Sequence, residues 1–122
     1  MAEDQVFSEF LTSAGSASDS TLYTRRVKEG RILHVQQISA VIYTTNYGDY
    51  TTAKYIAIGI EKGGVNRLIQ IQDMNGTYGA GLNLNVDLYL AQGDRIFVKF
   101  EATATTTVYE AVVQGVYVEG AQ

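Results

Sequence analysis

The sequence predicts an all-β fold: a two-sheet antiparallel β-sandwich, jelly-roll-like, with a short N-terminal arm or helix. Three observations predict it. Apolar side chains recur at every second position along most of the chain. Turn residues interrupt that alternation about every 8–12 residues, as the strands of a sandwich require. The 122 residues include Cys 0 and Trp 0, so the Cys–Trp–Cys core common in immunoglobulin domains is excluded. Jelly-roll connections follow by elimination. A chain of this length can bury one core without staples.

The elements follow in order. Within Ala2 to Ala14, Val6, Phe7, Phe10 and Leu11 stand at i, i+1, i+4 and i+5, a spacing that predicts one short amphipathic helix. Ser13 to Ser20 is small and polar and reads as a connector, so residues 1–20 form an arm and 21–122 the sandwich. Thr21 to Lys28 predicts a strand ending at a Glu29-Gly30 turn. In Arg31 to Tyr43, Leu33 and Val35 share one parity, while Ile38, Ala40 and Ile42 share the other. A parity change inside a strand predicts a β-bulge at Gln36 and Gln37.

Ile56, Ile58 and Ile60 alternate with Tyr55, Ala57 and Gly59 before Glu61-Lys62-Gly63-Gly64 turns the chain. Val65 to Gln72 returns, with Ile69 and Ile71 on one face and Leu68 and Gln70 on the other, which predicts a hairpin. Asp73 to Gly81 reads as a long Gly-rich loop. Leu82, Leu84, Val86, Leu88 and Leu90 then alternate with polar neighbours as far as a Gln92-Gly93-Asp94 turn. Arg95 to Glu101 resumes the alternation through Ile96, Val98 and Phe100, and the pair is expected as a second hairpin. Val108 to Val118 is apolar on both parities, which predicts burial on both faces near the middle of its sheet.

Composition narrows the function. Lys+Arg 9 against Asp+Glu 13 gives 9 − 13 = −4, a balance that argues against nucleic acid as a partner. No run approaches the ~18 apolar residues of a membrane helix. Met1 to Gly15 lacks the basic and apolar regions of an export signal, so a soluble chain used without Sec export is expected. Cys 0 excludes thiolate zinc sites and a cysteine nucleophile. Charged residues are 18%, against ~25% in ordinary domains, which suits a chain that works against another protein.

Chemistry-bearing residues are sparse. His34 is the single histidine, and its place between Leu33 and Val35 predicts a half-exposed strand residue. Asp49, Asp73, Asp87, Asp94, Glu61, Glu101 and Glu110 fall in turns or on wet strand faces, where solvation accounts for them without a catalytic pair. Gly76 to Gly81 lacks the GxGxxG spacing and the lysine of a nucleotide loop. Asp49, Asp73 and Asn75 bring hard oxygen ligands together without EF-hand spacing. The expectation is no catalytic residue, no cofactor and no metal. Tyr47 and Tyr50 at one loop tip and Tyr78 in another supply rigid contact area with a polar handle. Tyr and Thr are also good strand formers on a half-buried face, an equal alternative.

Three stretches carry a family likeness. Thr21-Leu-Tyr-Thr-Arg-Arg-Val-Lys-Glu-Gly-Arg-Ile-Leu-His-Val resembles the opening strand–turn–strand of small β-sandwich proteins carried by tailed bacteriophages. Leu90-Ala-Gln-Gly-Asp-Arg-Ile-Phe-Val-Lys-Phe is similar to their later x-Gly-Asp-x-hydrophobic segment, and Val112-Val-Gln-Gly-Val-Tyr-Val-Glu to their final strand. The resemblance implies a jelly-roll capsid decoration (cement) protein with no catalytic residues. It would bind the major capsid protein on the outside of the virion as a homo-oligomer, dimer or trimer. The arm would then be a clasp anchored by Phe7, Phe10 and Leu11, unless those residues pack on their own sandwich. The alternative is a glycan- or receptor-binding module of a tail, baseplate or fibre, acting through Tyr47, Tyr50 and Tyr78.

Overall fold

Strand-forming alternation is realised almost throughout the computed structural model, which describes residues 5–14, 20–44, 53–73, 79–102 and 107–119. They form β1 (Gln5–Ala14), β2 (Ser20–Tyr23), β3 (Arg31–Thr44), β4 (Ala53–Lys62), β5 (Val65–Asp73), β6 (Gly79–Leu90), β7 (Arg95–Ala102) and β8 (Thr107–Glu119). The first sheet runs β1-β8-β3-β6 and the second β2-β7-β4-β5, all neighbours antiparallel. Apart from β4 and β5, consecutive strands lie in opposite sheets, the jelly-roll pattern.

The core lies between the sheets. Leu33, Val35, Ile38, Ile42 and Val113 of the first sheet face Ile56, Ile58, Ile96, Val98 and Phe100 of the second, all essentially inaccessible to solvent. The Phe100 and Tyr109 rings stack at 5.0 Å with their planes 10° apart. Leu82, Leu84, Val86 and Leu88 pack against this cluster from the edge strand β6.

The expected bulge is present. The register of β3 shifts between Val35 and Gln37 against both β6 and β8, so the shift re-aims the strand between two ladders at once. Leu33 and Val35 point inward before it, Ile38, Ala40 and Ile42 after it. Gly115 of β8 pairs with Val35, and a Cβ there would run into the His34 carbonyl and the Val35 main chain. The Gly63-Gly64 hairpin is also as expected, both residues taking positive φ of 62° and 84°. The β8 strand lies inside its sheet, between β1 and β3 as expected, but from Tyr109 onward only one of its faces is buried: Tyr109, Ala111 and Val113 point into the core, whereas Val112 and Val116 are partly exposed and Gln114 fully so.

Three further expectations are corrected. Gln5–Ala14 is a strand, not a helix, and pairs along its whole length with β8. Adjacent apolar pairs at Val6-Phe7 and Phe10-Leu11 fit either period, and the ladder offered by β8 decides between them. Phe7 and Leu11 point into the core, and Val6 and Phe10 point out. Secondly, β6 and β7 are not a hairpin. Leu90 pairs with Leu33 in the first sheet, whereas Arg95 pairs with Glu61 in the second. The predicted strand from Thr21 is also shorter, because Thr24 to Lys28 leave the ladder.

Those two segments make the corner where the chain changes sheet. Val27 N–H donates to Asp94 C=O (2.9 Å), and Gly93 N–H donates to Val27 C=O (3.0 Å), so the turn binds residues 24–28 rather than closing a hairpin. Asp94 N–H donates to Ala91 C=O and Ala91 N–H to Asp94 Oδ2, both at 3.0 Å, while Gly93 supplies the positive φ of 87°. Beside it, Arg26 donates through both terminal nitrogens to the Glu61 carboxylate at 2.9 Å, and Arg95 adds a contact at 3.3 Å. The Arg95 guanidinium lies 3.9 Å from the centre of the Tyr23 ring. The hydrogen bond from Arg26, with help from Arg95, holds the Glu61 carboxyl below the usual carboxylate range.

Two outcomes are expected. Gly115→Ala should destabilise by about 1–3 kcal/mol in denaturant unfolding, through collision with main chain that cannot yield, whereas the exposed neighbour Gln114→Ala should stay within about 0.5 kcal/mol. A carboxyl whose folded pKa is lowered stabilises above its unfolded pKa, and that stability is lost as pH falls through the folded value. The stability gap between the wild type and Glu61→Gln should therefore be full at neutral pH and close as pH drops below about 4, read by thermal unfolding across pH.

Candidate interaction surface

Among the described residues no strand lies over the outward side chains of the first sheet, which form a four-strand face. Register places them in cross-strand rows: Val6, Val116, His34 and Tyr89; Ser8, Gln114, Gln37 and Asn85; Phe10, Val112, Ser39 and Asn83; Thr12, Glu110, Val41 and Gly81. On this face Glu110 and Asp87, which falls between the first two rows, carry formal charges at pH 7 with His34 neutral. Depletion of charge is what distinguishes the centre of protein–protein interfaces from the remaining surface.

The first row is the most apolar and aromatic. Val6 is 84% and Tyr89 63% exposed. The His34 ring stacks on Tyr89, centroids 4.3 Å apart and planes 5° apart, and its Nε2 lies 2.5 Å from Asp87 Oδ1. Asp87 lies on β6 opposite the bulge of β3, where the register jumps from Leu88 to Asn85. The bulge thus sets the spacing between this row and the next. His34 is half-buried in a strand, as its sequence position predicts.

The middle of the face is held by side-chain hydrogen bonds. Asn83 Oδ1 accepts from Gln37 Nε2 at 3.0 Å and from Ser39 Oγ at 2.8 Å, which orients the Asn83 amide from two sides. Farther on, Phe10 (58% exposed), Ser39, Val41, Glu110 and Val112 line a shallow depression across β1, β8 and β3. Of the three arm residues singled out from sequence, Phe10 alone contributes to this face. Phe7 is buried and meets Tyr117 edge-on at 5.4 Å, and burial raises the Tyr117 hydroxyl above its ordinary range. Leu11 belongs to the core cluster.

A second exposed apolar region lies on β5, the edge strand of the second sheet. Leu68 is 56% and Ile71 52% exposed, flanked by Val65 and Ile69. Every large hydrophobic that is exposed among the described residues lies on β1, β5 or β6, each of which is a sheet edge. Sequence parity assigns Leu68 and Ile71 to opposite faces, and it cannot identify β5 as an edge. Tyr47, Tyr50, Tyr78, Asp49 and Asn75 lie outside the described residues. Glu61 and Asp94 serve the corner, and no group of His, Cys, Asp or Glu able to hold a metal occurs among the described residues.

No protein-family model matches the chain. No curated protein matches it either. Similar solved structures are distant. A mitogen derived from Yersinia pseudotuberculosis is 13% identical at a TM-score of 0.47, over 94% of this chain and 86% of that one. The Drosophila NLP core, described for pentamer formation and histone binding, is 16% identical at 0.44, over 92% and 98%. An exo-beta-1,3-galactanase from Phanerochaete chrysosporium is 13% identical at 0.38, over 92% of this chain and 29% of that one. At such TM-scores these likenesses carry no functional argument.

Proposed function

We propose that this chain is a structural virion protein that binds the outer surface of an assembled phage capsid and stabilises it. The observation that carries the reading is the row Val6–Val116–His34–Tyr89, an apolar and aromatic strip that crosses all four strands of an otherwise charge-poor face. A rigid sheet presents such a strip at low entropic cost, because its main chain is already fixed. Tyrosine at the centre of a contact is a common source of binding energy. A protein that binds only the assembled lattice stabilises it by mass action, and many copies on one lattice add avidity. The major capsid protein is the partner this reading requires, and the capsid surface its location.

Purified protein added to heads that lack it should co-sediment with them and raise their resistance to heat. Tyr89→Ala should weaken that binding at least tenfold, about 1.4 kcal/mol, with the fold unchanged because Tyr89 projects into solvent. Failure of the wild type to bind such heads overturns the proposal. Retention on immobilised host glycans without binding to heads would favour a tail or fibre module instead.

A further inference from the structure

We infer that β6, the free edge of the first sheet, pairs antiparallel with β6 of a second copy about a two-fold axis at Asn85, joining two first sheets into one of eight strands. The inference concerns contact between copies and stands whether or not the dimer's partner is a capsid. β1, β2, β5 and β6 each end a sheet, and three of them are poorly suited to pairing. β2 has 4 residues. β5 breaks its alternation at Ile69, where its register with β4 jumps from Gln70 to Leu68, and such a bulge spoils the ladder for an incoming strand. β1 is tied down at Glu9, whose carboxylate accepts from Arg25 N–H. β6 bonds to β3 on one side and has no strand on the other among the described residues. It alternates without a break from Gly81 to Leu90 and carries no proline, lysine or arginine to block its edge. Its inward Leu82, Leu84, Val86 and Leu88 are only half-buried, unlike Leu33, Val35 and Ile38 on β3.

The strand is complementary to itself, and this selects a second copy as its partner. In an antiparallel pair centred on Asn85, Leu82 meets Leu88 and Leu84 meets Val86 on the inner face, where apolar pairs extend both cores. On the outer face Gly81 meets Tyr89, Asn83 meets Asp87, and Asn85 meets its own copy. Donors and acceptors match. Asn83 Oδ1 already accepts from Gln37 and Ser39, which leaves its Nδ2 to donate. Asp87 gives Oδ1 to His34 and is 80% exposed, so its second oxygen is open to accept. Sizes match as well. One face of the Tyr89 ring stacks on His34, which turns the other toward the open edge. A Cβ at Gly81 would meet only the Ala40 carbonyl, at 3.5 Å, so a ring fits over it, and aromatic rings are favoured opposite edge glycines. Moving the axis by one residue sets Asp87 against Gly81, or Tyr89 against Asn83, and loses these matches. A contact of like with like closes at two chains. The two outer faces then lie side by side on one surface.

The test is sedimentation analysis of the wild type, Asn85→Lys and Asn85→Glu, with the fold of each variant checked by circular dichroism. The wild type should sediment at twice the chain mass. Each variant sets like charges against each other on the axis and should be monomeric. Mixed in equal amounts, the two variants should recover the dimer, because opposite charges then meet. As the sequence has Cys 0, Asn85→Cys should cross-link into dimers under mild oxidation, while Gln114→Cys, exposed in the middle of the face, should not. Asn85 lies outside the Val6–Val116–His34–Tyr89 row, so loss of pairing and loss of head binding are separate results. A wild type of any other mass, a charged variant that keeps the wild-type mass, a mixture that stays monomeric, or an Asn85→Cys chain that fails to cross-link would each overturn the inference.

Discussion

The arrangement rests on one crowded contact between β3 and β8. At the bulge of β3 the main chain at His34 and Val35 presses onto Gly115 so closely that a single added carbon would not fit. That approach lets a strand hydrogen-bonded on both sides change parity without leaving either ladder. Without the shift, Leu33 and Val35 could not share the core with Ile38, Ala40 and Ile42, since a one-residue slip turns every following side chain to the other face. The same shift spaces His34 and Gln37 on the outer face. Core and contact surface therefore depend on the same few atoms.

The second organising feature is the corner at 24–28 and 91–94. A four-residue turn can serve a hairpin or a change of sheet, and main-chain partners decide which. Here Val27 takes the hydrogen bonds of Gly93 and Asp94, and Thr24 exchanges bonds with Ile96, its Oγ1 accepting from Ile96 N–H at 3.0 Å. Arg26, Arg95 and Glu61 surround this main-chain knot with charge that is nearly all paired. Buried ion pairs are weak evidence for net stability, but removing one partner leaves a charge stranded. The cluster is thus better understood as fixing where the chain crosses than as adding to the core.

These two constraints leave the outer face of the first sheet and the apolar margins of β1, β5 and β6 exposed among the described residues. Edge strands in soluble proteins are commonly blunted by charge or proline. This sequence has Pro 0, and its edges carry Val6, Phe10, Leu68, Ile71 and Tyr89 in the open. Singly exposed apolar residues need no explanation, but confinement of the large exposed ones to edges, among the described residues, does. A scaffold rigid by pairing and apolar at its margins would spend little entropy on docking.

The sequence by itself determined the all-β class, the Gly63-Gly64 hairpin, the bulge at Gln36-Gln37 and the interior place of β8, because each is encoded by neighbours a few residues apart. Parity along one strand suffices to read them. Tertiary structure alone decided that Gln5–Ala14 is a strand, since Val6-Phe7 and Phe10-Leu11 satisfy both periods until β8 supplies hydrogen bonds. It also decided that β6 and β7 part at Asp94, since Val27, far away in sequence, claims the turn. The candidate surface follows the same division. Alternation puts His34 and Tyr89 on an outer face, but which strands lie beside them, and which edges stay bare, depends on long-range pairing that no local pattern records.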